Sequence, residues 1–238
     1  MKIAYKLLLT GLLAASLLSN AQAQFGGLSK LIGGTPAAGG ETVNKADFTK
    51  LLETTTGNVM AARIEFLNAQ ADLASALGLK NDALIKASEG LRAVEGSSSS
   101  PGDKLKALKD SSVATEGAKK ELNDAMAKSD QLSDDSKKKF GQGAVKFVHA
   151  IILEKAQIET IKQLVDQGKV LAGSSNPLDK VKAIGLVKPV TEMTIMVPGD
   201  VQEGFTTFGH ITSFAQQQNI AVPSLADQNA ALGKGDQP

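Results

Sequence analysis

Two histidines, His149 and His210, are the first residues to weigh as acid–base groups or metal ligands. A metal-binding helix offers a second ligand one turn away. His149 has Val145 and Leu153 at those positions, and His210 has Thr206 and Phe214. Neither has an acidic residue three or four places off, so each reads as a boundary residue bonded to water or backbone. Neither closes a Glu-x-x-His motif, which disfavours a carboxylate-bridged di-iron bundle. A haem held by Met60 and His210 is conceivable in a bundle, although methionine on a helix face is usually core filling.

The other polar residues offer little more. No Gly-x-Ser-x-Gly occurs, so Ser97 to Ser100 reads as a solvated linker. The pairs Gly26-Gly27, Gly33-Gly34 and Gly39-Gly40 lack the Gly-Lys-Ser/Thr ending of a phosphate loop. Lys137 to Lys139 stand beside Asp134 and Asp135 and read as a solvated helix start. Glu154 is different, because it falls in an otherwise apolar seam. It is either a buried functional carboxylate or, the reading the pattern favours, one that pairs with a neighbour or reaches water. No catalytic residue, cofactor or metal site is expected, and the chain does not read as an enzyme.

Composition narrows the chemistry further. There is no cysteine or tryptophan, and Tyr5 is the single tyrosine. Thiol nucleophiles, thiolate metal sites and attached c-type haem are therefore excluded. Tyr5 lies in a segment with the three parts of a secretory signal: Lys2 and Lys6, the apolar run Leu7 to Leu18, and Ala21-Gln22-Ala23. Residues 1–23 are read as a cleaved signal peptide, with export to the periplasm or the exterior. Loss of Lys2 and Lys6 leaves 24 basic against 25 acidic residues. A chain so close to neutral has no general pull on nucleic acid.

The elements that would carry these residues are helices. Residues 24–43 form a Gly-rich leader, expected to be flexible, with Phe25 and Leu28 as side chains able to dock. From Asn44 the apolar residues return in steps of three and four: Phe48, Leu52, Thr55, Val59, Ala62, Phe66, Ala69, Leu73 and Ala76. The stripe crosses Thr54-Thr55-Thr56-Gly57 in register, so a bend at most is expected there. A second helix is read over Asp82 to Glu95, a third from an Asp103 cap to about Lys128, and a fourth from Ser133 or Asp134 to Ala172. The last, 177–218, carries Pro189 and Pro198 and is expected as two or three kinked pieces, with a strand at 190–197 as the alternative. Residues 219–238 read as a polar, mobile tail.

The fold class expected is all-α, an elongated antiparallel helical bundle of five to six helices over 44–218. It would have roughly four columns if the Ser-rich loop merely interrupts one of them, and would be more compact if that loop reverses the chain. The function expected is non-enzymatic: an exported bundle that binds a protein partner or self-associates, with an adaptor or structural role in the envelope. Two alternatives stand beside it. One is a membrane-active or pore-forming protein using residues 183–214, without a transmembrane segment in the mature chain. The other is a carrier of an apolar ligand or haem. Phe25, Leu28, Phe205, Phe208 and Phe214 are the expected contact residues, on the view that the phenylalanines near the last glycines are exposed.

Overall fold

A computed structural model of the chain describes residues 43–173 and 177–224. Residues 1–42, where the signal peptide and the leader with Phe25 and Leu28 were expected, and the expected tail from 225 lie outside the described residues. The described part is all-helical and has no strand. Five helices pack as a bundle: α1 (Lys45–Ala76), α2 (Asp82–Glu95), α3 (Pro101–Lys128), α4 (Asp134–Ala172) and α5 (Pro177–Gln217).

Local chemistry sets the ends. Asn44 caps α1, its side-chain oxygen accepting from the Ala46 amide at 2.9 Å. At the other end Gly78 takes φ +72°, a conformation favoured by its missing side chain. Leu79 N–H then reaches Ala74 O, and Gly78 N–H reaches Ser75 O. These two bonds satisfy carbonyls that the helix end leaves open. Ser133 caps α4 through the Ser136 amide.

The third helix starts earlier than the Asp103 cap expected. Ser100 is the cap and Pro101 the first helical residue. Ser100 Oγ accepts from Asp103 N–H at 3.2 Å and lies 2.7 Å from the Asp103 carboxylate. Proline suits that position because its missing N–H would be an orphan anyway.

The last helix is also corrected. It runs unbroken from Pro177 to Gln217 through both prolines, with no separate pieces and no strand at 190–197. An interior proline costs about 3 kcal/mol. Burial of Val190, Met193, Val197, Val201, Phe208 and Ile211 along one face offsets it. Asn219 at φ 57° then closes α5, with Ile220 N–H bonded to Ala215 O and Asn219 N–H to Gln216 O. Gln218 is buried, accepting from Leu132 N–H and donating to Asp130 O, which ties this end to the α3–α4 loop.

The main seams join α1 to α4 and α4 to α5. Along the first, Asn58 meets Gln157, Phe66 meets Phe147 and Asp72 meets Lys146, so the two helices run antiparallel. Along the second, Ile151 meets Gly204, Phe147 meets Phe208 and Phe140 meets Phe214, again antiparallel. The Ser-rich segment reverses the chain. Helices α2 and α3 therefore pack side by side, and α2 also bonds back to α1 through Ser88–Asn68 and Asn81–Ala71. The four expected columns give way to five helices that alternate in direction.

Candidate functional site

The buried charges lie where α1, α4 and α5 meet. Arg63 sits on the edge of the α1 stripe, one turn from both Val59 and Phe66. Glu154 sits on the inward face of α4 and Asp200 on α5, two residues after Pro198. Arg63 and Glu154 are 2% and 3% exposed, while the Asp200 side chain keeps 24%.

One guanidinium nitrogen serves both acids. Arg63 Nη2 donates to Glu154 Oε1 at 3.3 Å and, in a closer contact, to Asp200 Oδ2. Arg63 Nε is buried without a partner. Burial pushes the Glu154 carboxyl up to about 7; Arg63 opposes that rise and Asp200 adds to it. Burial also raises Asp200, again against Arg63, with Glu203 and Glu116 contributing to the rise. The causes are desolvation and like-charge proximity.

Around the cluster lies a polar layer. Gln157 is fully buried, accepts from Asn58 Nδ2 at 3.3 Å and donates to Leu153 O at 3.4 Å. Gln70 donates to Thr115 O at 3.5 Å, and its Oε1 has no partner. A cavity of about 20 Å³ opens among Arg63, Gln70, Thr115, Glu154, Gly204 and Thr207. That is room for one water molecule and for no organic substrate.

The histidines are not brought together. His149 is buried, with Nδ1 2.6 Å from Glu65 Oε1 and Nε2 without a partner. His210 is exposed, with Nδ1 3.1 Å from Asn123 Oδ1. The acidic partner of His149 comes from another helix, which is why spacing along α4 does not reveal it. Met60 is fully buried while His210 lies at the surface, so the two do not frame a haem. Among the described residues no group of three His, Cys, Asp or Glu side chains could hold a metal ion.

The phenylalanines correct the expectation of exposure. Phe208 and Phe214 are 3% and 4% exposed, packed on Phe147 and Phe140. They are core residues because α5 turns this face inward from Val190 to Ala215. Phe205 is half-buried, with Lys155 Nζ 5.8 Å from its ring centroid. Among the described residues, the large apolar side chains left exposed are instead Ile85, Val113, Val170 and Ile195, of which Val113 reaches 75%.

Val113 borders a surface groove of about 400 Å³ between the end of α1, the start of α2 and the middle of α3. Leu79, Ala83, Leu84, Ala114 and Ala118 line it, and Lys80, Asp110 and Glu121 stand among them. No described helix is long and apolar enough to cross a membrane. Set against known proteins, the chain matches no family model, no curated protein and no solved structure.

Proposed function

We propose that the protein is an exported, non-enzymatic helical bundle that binds a protein partner, and that the partner seats on the groove between α1, α2 and α3. The exposure of Val113 beside that apolar groove carries this reading. Exposed apolar surface rimmed by polar groups marks interaction sites. Charges of both signs at the rim suit a polypeptide better than an anionic lipid surface. At the buried charge cluster the same reading is supported by the size of the cavity, which admits a water and nothing larger.

A photo-crosslinking residue at Val113, in protein exported by living cells, tests this. One discrete adduct, lost when Ala114→Glu fills the groove with charge, is the expected result. Adducts equally abundant from a probe at the exposed Ile195, or none at all, would sink it. The same preparation tests export, since the released chain should begin at Gln24.

A further inference from the structure

One cation faces two anions inside the bundle. Arg63 bridges Glu154 from α4 and Asp200 from α5. Charge pairing at a buried site needs equal numbers, since an unmatched charge there keeps its desolvation cost. The groups facing the cluster from other helices do not restore the balance. Lys119 on α3 pairs with Glu203 on α5 at 2.9 Å, and Glu116 on α3 adds further negative charge. Among the described residues no second cation bonds to Glu154 or Asp200.

The two acids are not equivalent. Asp200 keeps some access to water, with 24% of its side chain exposed. Glu154 is almost wholly enclosed, at 3%. The water-sized cavity beside it supplies room for a water to bring a proton.

We propose that Glu154 is a proton-binding site, and that the bound proton latches α5 onto α1 and α4. With Glu154 neutral, Arg63 and Asp200 form one balanced pair across α1 and α5. When Glu154 releases the proton to solvent, a net negative charge is left at the centre of three helices. Helix α5 gives way around Pro198, which donates no helical hydrogen bond, and Gly199, which has open space around it. The proton is the only species exchanged. The position of the Glu154 carboxyl, pushed up to about 7, puts this exchange near neutrality. The inference stands independently of the partner reading.

Hydrogen exchange on the full mature chain at pH 6 and pH 8, corrected for intrinsic rates, is the test. Amides of residues 194–207 should open about tenfold more often at pH 8, if the opened state returns Glu154 to an ordinary carboxyl. Glu154→Gln should hold the same protection at both pH values, while Glu159→Gln, on the exposed face, should keep the response. A pH response that survives Glu154→Gln, or one spread evenly over all five helices, overturns the latch. Carbon-13 spectra of the native chain give a second readout that needs no variant. A Glu154 carboxyl that titrates near neutrality supports the site, and one that titrates with the surface glutamates overturns it.

Discussion

Gly204 on α5 faces Ile151 on α4 so closely that a Cβ at 204 would lie 2.8 Å from Ile151 Cγ1 and 3.1 Å from Cδ1. No side chain fits there without displacing a helix or forcing Ile151 off its rotamer. Gly204→Ala should therefore destabilise the fold by about 1–3 kcal/mol. Gly209→Ala, five residues further on with nothing within 4 Å, should leave stability unchanged or raise it by up to about 1 kcal/mol. Urea unfolding of both variants checks the contrast, and equal effects would count against the α4–α5 packing described.

The buried acids set the sign of a pH effect. Both Glu154 and Asp200 have folded pKa values above their ordinary ones. Folding then favours the protonated forms: the stability Glu154 contributes is fully present below about pH 4.5 and falls as pH rises through about 7, and Asp200 acts in the same direction. Glu154→Gln should be more stable than the native chain at pH 8, by on the order of 2–3 kcal/mol, and little different at pH 5. Chemical denaturation at the two pH values decides this, and a variant weaker at pH 8 would reverse the sign.

Arg63→Met should behave in the opposite way. It removes the positive charge that bonds to the buried Glu154 and the partly buried Asp200 and should cost about 3–5 kcal/mol. The loss should deepen from pH 5 to pH 8, because the acids then lose their protons without compensation. A loss that is constant across this range would show that packing, and not charge, is the main role of Arg63.

Glu65 holds the buried His149 ring at Nδ1, while Nε2 is already without a partner. Glu65→Ala strips the last hydrogen bond from a buried polar ring. The expected cost is about 1–3 kcal/mol in thermal or urea unfolding. A neutral result would show that the ring finds another partner.

Gln218 joins the end of α5 to the loop before α4 by two hydrogen bonds. Gln218→Ala should speed exchange of the Leu132 amide by about tenfold or more, equivalent to the net worth of one buried hydrogen bond. Unchanged exchange at Leu132 would place the anchor elsewhere.

Much of the architecture was legible because end signals and periodicity agreed. The bounds of α2 and α4 follow from an acid-rich start and a glycine stop, and the α1 stripe runs through Thr55 and Thr56 because their hydroxyls bond back to Leu51 O and Leu52 O. The passage through Pro189 and Pro198 was not legible, since the burial that holds α5 together depends on helices far away in the chain. Nor does the composition of the Ser-rich loop state whether it bends or reverses. Glu154 stood out as a charge in an apolar seam, yet its partner Arg63 lies 91 positions away. Arg63 carried the same signal, a charge one turn from Val59 and from Phe66. Pairing the two required knowing which stripes meet.

The hairpin of α2 and α3 has a consequence for how the molecule comes apart. Helix α2 buries only Leu84, Ser88 and Leu91, and α3 only Leu105, Leu108, Ser111, Leu122 and Met126. The phenylalanine ladder of Phe66, Phe147, Phe208, Phe140 and Phe214 belongs wholly to α1, α4 and α5. Residues 82–128 thus form a clip on a three-helix spine, a unit that can breathe while the spine holds.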